Sequence, residues 1–480
     1  MSKLIVLSNR VSLPNPDTHA AGGLAVALND ALDTLGGVWL GWNGEKISDH
    51  EDNKFSVQSN AHVHYMTTPL KESQYQHFYS GYSNSVLWPA MHDRDDLIQV
   101  QPYDYQIYQE VNILFAQKLA EIASPDDVIW IHDYHFFSVA HHCRQLGMKN
   151  RIGFFLHIPF APLNIWKKIE QSELLLGHLC DYDVIGLQTE RDQSLCKEVI
   201  KHYVEALALD AEIIVRNHHL TRIKCYPIGV NPQTIQNSSK SAQADIPAFF
   251  DAEDYQDVKT IIGVDRIDYS KGLIERFNAF NTFLERHPEM HQQITELQVA
   301  CPCRMEIPVY EALYEDLNHK MNQINQEYSQ NKWQPINFTH GTVDHDALMQ
   351  LYRFADICWV SSLRDGMNLV AKEYIAAQDA NNPGVLILSK YAGSAEQMAE
   401  AILVDPEDRQ AMVKALEQAV SMSKVERLER YQQLIKGIND FDIFDWRDAF
   451  LQDLKDQATP IENALSILSR KVPSNIKAYL

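Results

Sequence analysis

The sequence has few cysteines and no long apolar stretch. Its 480 residues include seven cysteines, an odd number spread along the chain. This distribution does not resemble a disulfide framework and is typical of a reducing compartment. No stretch approaches the roughly 18 consecutive apolar residues of a membrane-spanning helix, and the N-terminal MSKLIVLSNR lacks the apolar core of a signal peptide. We therefore expect a cytoplasmic protein without a membrane anchor.

The chain is also poor in basic residues. It has 42 lysines and arginines against 64 aspartates and glutamates, which gives a net charge of −22. This balance disfavours binding to nucleic acid or to an anionic membrane surface. An anionic ligand would have to be held by a few basic side chains placed close together.

The signatures of several cofactor sites are missing. The sequence contains neither a G-x-G-x-x-G turn nor a Walker lysine, which disfavours an NAD-dependent oxidoreductase and a P-loop ATPase. The pairs Cys301/Cys303 and His132/His135 have no neighbouring residues that would complete a zinc site. We expect no metal and no other cofactor.

Short β-branched apolar runs alternate with longer helical patterns, which predicts an α/β protein with doubly wound parallel sheets. A chain of this length exceeds the usual size of a single core. A segment rich in Pro, Asn, Ser and Gln (225–250) separates two such alternations. We expect an N-terminal domain (1–230), a C-terminal domain (231–455) and a tail (456–480). Residues 440–456 are predicted to form an amphipathic helix, and strands are predicted at 4–9, 128–132, 151–158, 183–188, 258–266, 297–304, 357–364, 384–389 and 401–405.

Charged residues stand at or just after the carboxyl ends of the predicted strands. Ligands of open α/β sheets bind at these ends, so we expect the charges to line a cleft between the two domains. A single arginine there is readily explained as a solvated loop residue or as part of a helix-capping ion pair. Four arginines in an acidic chain favour a phosphate site, because guanidinium groups match phosphate oxygens. The residues are Arg10, Asp133, Arg266, Arg304, Arg364 and Asp365.

Two further stretches fit a phosphate ligand. Gly22 and Gly23 precede a predicted helix, where bare backbone N–H groups and the positive helix end would face an anion. This motif is not specific by itself. Lys271 follows Arg266 by five residues, across a tight loop that opens a helix. That arrangement suits a diphosphate.

The stretch VSSLRDGMNLVAKEY (360–374) adds groups that suit a sugar. The helix start at Met367, Asn368 and Leu369 would present free N–H groups, and Asp365 would accept hydrogen bonds from sugar hydroxyls. Glu373, one turn further on, would accept the diol of a ribose. Taken alone, Glu373 is more simply read as an exposed helix carboxylate.

The chain also contains long, specific motifs. They are LSNRV, AGGLAVAL, GGVWLGWNGE, NSVLWPAMH, VIWIHDYHF, RIGFFLHIPF, CDYDVIGLQT, YPIGV, VDRIDYSKGL, LRDGMNLVAKEYIAAQ and NPGVLILSKYAG, and they extend to residue 393. In these motifs the chain resembles the trehalose-6-phosphate synthase family of retaining glycosyltransferases. The resemblance implies a GT-B fold with two Rossmann-like domains facing across a cleft. It also implies transfer of glucose from UDP-glucose to glucose 6-phosphate, giving α,α-trehalose 6-phosphate and UDP in trehalose biosynthesis and stress protection. Relatives form dimers or tetramers, which implies a homo-oligomer.

The resemblance also implies roles for particular residues. It assigns the acceptor to Arg10, Tyr79, Trp88, Asp133 and Arg304. It assigns the donor to Gly22, Gly23, His157, Arg266, Lys271, Val343, Asp365, Met367, Asn368, Leu369, Val370 and Glu373. It assigns catalysis to Asp133, His157, Arg266, Lys271 and Asp365.

Several alternatives stay open at the level of the sequence. GDP-glucose or ADP-glucose would leave few different traces in the side chains. The acceptor could be another phosphorylated compound such as glycerol 3-phosphate, or the protein could be a non-catalytic sugar-phosphate sensor. Retention of configuration is compatible with a carboxylate nucleophile and double displacement. It is equally compatible with a reaction on one face of the sugar.

Overall fold

The structure is a computed structural model that describes residues 2–11, 13, 28, 32, 35–60, 62–241, 258–341 and 343–456. The chain forms two compact units, and it passes from the first to the second after Pro227 and returns after Asp445. The sequence had placed these divisions after residue 230 and after residue 455. The first unit therefore ends earlier than expected and includes a C-terminal segment that had been assigned to the second domain.

Within the described residues, the first unit contains a ten-stranded sheet with the order β3-β4-β2-β1-β5-β6-β7-β10-β9-β8. The strands from β4 to β10 in this order are parallel, and the outer strands β3, β9 and β8 join through antiparallel pairings. The strand order reverses between β1 and β5, so a crevice opens at their carboxyl ends. The strands are β1 (Leu4–Arg10), β2 (Gly37–Ile47), β3 (Ser56–Asn60), β4 (Val63–Lys71), β5 (Val128–His132), β6 (Arg151–Phe155), β7 (Val184–Leu187), β8 (Leu207–Ala208), β9 (Ile213–Arg216) and β10 (His219–Cys225).

Helices pack on this sheet through apolar faces. Tyr108, Val111, Phe115 and Leu119 recur at helical spacing, and all four side chains are buried on one face of a long helix. A π-helix (Tyr75–Leu87) lies between two short helices. The α-helices are α1 (Glu72–Gln74), α2 (Trp88–Met91), α3 (Asp104–Ile122), α4 (Val139–Gln145), α5 (Leu163–Trp166), α6 (Ser172–Leu179) and α7 (Glu190–Tyr203).

The second unit contains a six-stranded parallel sheet with the order β13-β12-β11-β14-β15-β16. In chain order within the unit this is 3-2-1-4-5-6, the order of nucleotide-binding doubly wound sheets. The order reverses between β11 and β14. Apolar clusters cover both faces of the sheet. The strands are β11 (Lys259–Ile267), β12 (Ile294–Pro302), β13 (Ile336–Thr339), β14 (Ile357–Val360), β15 (Val385–Ser389) and β16 (Ile402–Val404).

The helices of the second unit begin with α8, which lies inside the segment 225–250 that the sequence suggested as a linker. Its Ile235 is buried in the core of the second unit, and residues 242–250 of that segment lie outside the described residues. The helices are α8 (Pro232–Ser238), α9 (Leu273–Arg286), α10 (Pro308–Tyr328), α11 (His345–Phe354), α12 (Leu369–Ala377), α13 (Arg409–Ser421) and α14 (Lys424–Asp440).

The predicted C-terminal helix is confirmed as α15 (Ile443–Lys455). From Trp446 onward it packs on the sheet of the first unit, with the ring of Phe450 stacked on Trp130 at a centroid distance of 4.8 Å. Gly153 and Gly186 make room for Phe450, since a Cβ on either glycine would lie 2.8 Å from its ring. The sequence pattern gave the helix but not the partner against which its apolar face packs.

None of the helices in the described ranges is long and apolar enough to span a bilayer. All seven cysteines are free thiols. Within the same ranges, no group of three or more His, Cys, Asp or Glu side chains is arranged to hold a metal ion.

Candidate active site

Arg10 lies at the carboxyl end of β1, beside the middle of β2. Its guanidinium carbon is 5.2 Å from the ring centre of Trp42, the residue with which Arg10 pairs in register. The ring of Tyr79 lies 5.5 Å from the same tryptophan ring. Gly44 has a φ of +90°, and a Cβ at this position would lie 2.0 Å from the guanidinium carbon of Arg10. The local backbone thus leaves space for Arg10 to rest against Trp42.

Trp42 is the residue that the sequence analysis missed here. Its motif was recognised, but no role was given to its side chain. Its place beside Arg10 depends on the register between β1 and β2, which the local sequence does not reveal.

The helical segment 72–91 contributes Tyr79 and Trp88. Tyr79, on the π-helix, stacks on His135 with ring centroids 6.1 Å apart and an interplanar angle of 9°. Trp88, at the start of α2, is 4% exposed, and its ring lies 5.7 Å from that of Tyr134. The π-helical winding is rare and is often found at functional sites. It places both aromatic residues beside the loop that follows β5.

Asp133 follows β5 in a strained backbone conformation. Its φ of +76° and ψ of 165° fall in a region that is nearly restricted to glycine. The conformation is held by its own N–H, which donates to the Phe155 carbonyl at 2.8 Å, and by its carboxylate, which accepts from the His157 N–H at 3.3 Å. Strained backbone conformations of this kind persist only where the surrounding structure holds them, and they are concentrated at functional sites.

His157 follows β6 and is held from two sides. Besides the backbone bond to Asp133, its Nε2 lies 2.9 Å from Nδ1 of His132. Burial lowers the pKa of His157 to about 3 and lowers the pKa of His132 well below its ordinary value. Both imidazoles are therefore neutral at physiological pH.

In the second unit, Lys271 and Asp365 meet at the point where the strand order reverses. The Lys271 ammonium lies 2.6 Å from the Asp365 carboxylate, and both side chains are largely buried. The loops after β11 and β14 are tied together by the Leu363 N–H, which donates to the Ser270 carbonyl at 2.7 Å. Gly272 has a φ of +63°, and a Cβ there would lie 2.1 Å from the Ser361 carbonyl oxygen. Only glycine fits this close approach.

Helix α12 begins at Leu369, and its capping residue Asn368 contacts the Asp365 carboxylate. The side chain of Asn368 caps the helix by accepting the Ala371 N–H at 3.1 Å, and its amide donates to Asp365 Oδ2 at 3.1 Å. The Ser362 hydroxyl donates to the same oxygen at 3.1 Å. The first N–H groups of a helix have no acceptor within the helix, so the start of α12 is suited to bind oxygens of a ligand.

The apolar side chains among the predicted donor residues are those of Met367, Leu369, Val370 and Val343. Met367 is buried, and its carbonyl accepts the Ser394 N–H at 2.7 Å, which fixes the loop before α12. Leu369, Val370 and Val343 are partly buried against one core cluster of the second unit.

Glu373 is partly buried one turn into α12. Burial raises its pKa to about 7, and the nearby Tyr352 hydroxyl offsets this only in part. A carboxylate in such surroundings gains from hydrogen-bond donors that a ligand brings.

Arg266 is exposed near the carboxyl end of β11. Arg304 follows β12 with a φ of +50°, and its guanidinium donates to Asp268 at 3.1 Å and to the Tyr310 hydroxyl at 2.7 Å. The guanidinium carbon of Arg364 lies 4.3 Å from the ring centre of Tyr391. Arg266 thus lies in the last residues of β11, and Arg304 and Arg364 lie in the loops that follow β12 and β14.

Within each unit, some of the predicted site residues lie close together. In the first unit these are Arg10 with Tyr79, through Trp42, and Asp133 with His157. In the second unit Lys271, Asp365 and Asn368 are in direct contact. Gly22 and Gly23 lie outside the described residues, and the ligand roles assigned to all these positions stay predictions.

The chain matches the model of glycosyltransferase family 20 over residues 8–456. A trehalose-6-phosphate synthase from Sodalis glossinidius is 41% identical over 455 residues, which cover 95% of this chain and 96% of that protein. A relative of the same name from Escherichia coli K12 is 40% identical over 458 residues and 95% of both chains.

Solved structures are similar over the same length. One is a Burkholderia xenovorans α,α-trehalose-phosphate synthase (UDP-forming) in complex with glucose-6-phosphate, with a TM-score of 0.91 and 38% identity over 95% of this chain and 100% of that chain. Another is an Escherichia coli structure bound with UDP-2-fluoro glucose, with a TM-score of 0.89 and the same identity and coverage. These neighbours are GT-B enzymes, and the two doubly wound sheets described above agree with that fold. The chain belongs to glycosyltransferase family 20.

Proposed function

We propose that the protein is a retaining glucosyltransferase that moves glucose from UDP-glucose to glucose 6-phosphate, forming α,α-trehalose 6-phosphate and UDP. The observation that carries the proposal is the contact of Lys271 and Asp365 with the start of α12, at the reversal point of a nucleotide-binding sheet. Relatives of 40–41% identity carry the name of this activity. Solved structures of related proteins contain glucose-6-phosphate or a fluorinated UDP-glucose.

The donor is proposed to bind to the second unit. Arg266 and Lys271 neutralise its diphosphate, and the Gly22–Gly23 backbone contributes further N–H groups. The N–H groups from Met367 to Val370 and the Asp365 carboxylate contact the donor glucose, which His157 also meets. Glu373 accepts the ribose diol, and Val343 lies by the uracil.

The acceptor is proposed to bind through cations and aromatic rings. Arg10 and Arg304 bind the 6-phosphate, because guanidinium groups form charge-assisted hydrogen bonds with phosphate oxygens. Tyr79 and Trp88 supply apolar faces for the sugar ring, and Trp42 belongs with them because it contacts both Arg10 and Tyr79. Asp133 accepts from an acceptor hydroxyl.

The chemical step breaks the bond between the anomeric carbon of the donor and its phosphate oxygen. Positive charge develops on the sugar and negative charge on the departing UDP, so fixed cations at Lys271 and Arg266 lower the barrier. We propose reaction on one face of the sugar, in which the leaving phosphate oxygen takes the proton of the acceptor hydroxyl. Asp365 is a poor nucleophile for double displacement, because its Oδ2 already accepts three hydrogen bonds.

We further propose a cytoplasmic homo-oligomer that acts in trehalose biosynthesis under osmotic or desiccation stress. The free state of all seven cysteines supports a reducing compartment.

The test is to incubate the purified protein with UDP-glucose, with and without glucose 6-phosphate, and to measure UDP and disaccharide phosphate. We expect both products only when both substrates are present. Parallel arms with GDP-glucose, ADP-glucose and glycerol 3-phosphate test the alternatives. Faster transfer to glycerol 3-phosphate would overturn the acceptor assignment, and binding of both sugars without any transfer would indicate a sensor.

A further inference from the structure

The donor-contacting residue His157 is bonded to another histidine that no step of the proposed reaction uses. His132 ends β5 and is fully buried, and its Nδ1 lies 2.9 Å from Nε2 of His157. The ring of His132 packs among those of Trp130, Phe155 and Trp446, at centroid distances of 4.6, 6.4 and 6.5 Å. This aromatic packing leaves His132 no freedom to turn away from its partner.

A hydrogen bond between two neutral imidazoles has two possible arrangements. One nitrogen must carry the hydrogen and the other the lone pair. In the first arrangement His132 Nδ1–H donates to Nε2 of His157, and the hydrogen of His157 is on Nδ1. In the second arrangement His157 Nε2–H donates, and the hydrogen of His132 is on its own Nε2.

The surroundings of His132 Nε2 distinguish the two arrangements. This atom is buried, and no hydrogen-bond partner is found for it within the part of the chain that the structure describes. The second arrangement would leave a buried N–H without an acceptor, whereas the first leaves only an unused lone pair. Orphaned buried N–H groups are the rarer of the two in folded proteins.

We propose that His132 is a positioning residue for His157: it donates from Nδ1 and holds His157 in the tautomer whose Nδ1 carries the hydrogen. His157 then meets an oxygen of a donor-sugar hydroxyl as a hydrogen-bond donor. His132 and the adjacent Asp133 together fix both the ring and the backbone of His157. The consequence for catalysis rests on the proposed function, whereas the tautomer itself does not.

The first test reads the tautomer without any assay of activity. Protein labelled with ¹⁵N-histidine gives imidazole nitrogen spectra in which N–H nitrogens differ from lone-pair nitrogens, and the His157→Ala variant identifies the signals of His157. We expect the hydrogen of His157 on Nδ1 in wild type and a mixture of tautomers in His132→Leu. A hydrogen on Nε2 of His157 in wild type would overturn the proposal.

The second test is a double-mutant cycle on kcat/KM for UDP-glucose. His132→Leu should lower this value by about tenfold in wild type but hardly at all in the His157→Ala background, because a residue that acts through His157 has no effect once His157 is absent. His132→Asn, which keeps an N–H near the position of Nδ1, should restore most of the loss. Equal losses in both backgrounds would show a merely structural role for His132.

A matched control is His178→Leu, which removes another imidazole of the first unit. His178 is bonded to the Ser138 hydroxyl and stacks on His141, away from this pair. Its substitution should give the same change of kcat/KM in both backgrounds. If wild type transfers no glucose, the proposed function fails while the spectra still decide the tautomer.

Discussion

Lys271 is proposed to bind the leaving diphosphate. Its ammonium nitrogen is held in position by the Asp365 carboxylate, 2.6 Å away. We expect Lys271→Met to lower kcat by about 100-fold at saturating substrates, because the negative charge on UDP grows as the glucosyl bond breaks. Steady-state kinetics with both substrates saturating measure this effect.

Lys390→Met is the matched control for that substitution. Lys390 forms an ion pair at the surface with Asp405, with 2.8 Å between the charged atoms. Surface ion pairs contribute little to the free energy of unfolding. The control should change kcat by less than about twofold. A Lys271 variant with a raised KM and an unchanged kcat would contradict the leaving-group role.

Arg304 is proposed to recognise a phosphate that takes no part in the reaction. Arg304→Ala should therefore raise the KM for glucose 6-phosphate by at least about tenfold and change kcat much less. The measurement is the ratio of kcat/KM for glucose 6-phosphate to that for glucose. This ratio should fall in the variant, and an unchanged ratio would remove Arg304 from the acceptor site.

The Arg304 variant also needs a stability control. The substitution leaves the buried Asp268 carboxylate without its guanidinium partner, which is destabilising. Thermal unfolding of the variant, and the Arg304→Lys variant that keeps the positive charge, separate loss of binding from loss of structure.

Glu373 links donor binding to pH. Its pKa is about 7, so in the free protein the carboxylate becomes protonated as pH falls through 7. The KM for UDP-glucose should therefore rise as pH is lowered from 8 to 6. Glu373→Gln should raise the KM at pH 8 and abolish this pH dependence. A wild-type KM that is constant over this range would contradict the ribose role.

Glu373 should also make the free energy of unfolding depend on pH. Its folded pKa lies above the ordinary value of 4.5, so its protonation stabilises the fold fully below pH 4.5, and this contribution is lost as pH rises through 7. Glu373→Gln should therefore raise the melting temperature at pH 8 by a few degrees, on the order expected for 1–2 kcal/mol, and change it little at pH 5. Thermal unfolding scans at both pH values measure the difference.

At the scale of elements, the turn between β11 and α9 aligns Lys271 with the loop after β14. Gly272→Ala would place a Cβ 2.1 Å from the Ser361 carbonyl oxygen in a backbone with a φ of +63°. We expect the free energy of unfolding to fall by more than about 1 kcal/mol, because the two loops must move apart. We expect kcat to fall by a larger fraction than the free energy of unfolding does.

Gly437→Ala is the matched control for this turn. Gly437 lies within α14, and a Cβ there meets only ordinary contacts. Alanine at this helical position should raise stability by about 0.5–1 kcal/mol. Equal effects of the two substitutions on stability and kcat would contradict the alignment role of Gly272.

Most of the central strands could be predicted from the sequence, and some others could not. All nine predicted strands are present, since apolar β-branched runs of parallel sheets are distinctive. β2 was missed because Gly41, Asn43 and Gly44 interrupt its apolar pattern, and β10 was missed because its polar residues conceal its alternation. The π-helix left no periodic signal that distinguishes it from an ordinary helix.

The candidate site was only partly predictable for a related reason. Charges at or just after strand ends gave Arg10 and Asp365, because topology brings such ends together, and the loop after Arg266 gave Lys271. The aromatic support from Trp42 and the bond from His132 depend on register between neighbouring strands, which local sequence does not reveal. His132 had been considered only as a metal ligand.

At the scale of the whole molecule, an acidic chain of net charge −22 is proposed to bind two phosphorylated sugars. This requires local cations to outweigh the overall field. Arg10 and Arg266 lie in the last residues of strands, and Lys271 and Arg304 lie in the loops that follow β11 and β12. Each unit has its own strand-order reversal, so each unit has a crevice at the carboxyl ends of its parallel strands.

A crystal structure of the protein with UDP and glucose 6-phosphate tests the proposed function most directly. We expect the diphosphate to contact Lys271 and Arg266 beside the start of α12, and the sugar 6-phosphate to contact Arg10 and Arg304. UDP bound away from the β11–β14 reversal point, or a 6-phosphate that contacts neither Arg10 nor Arg304, would contradict the proposed transfer.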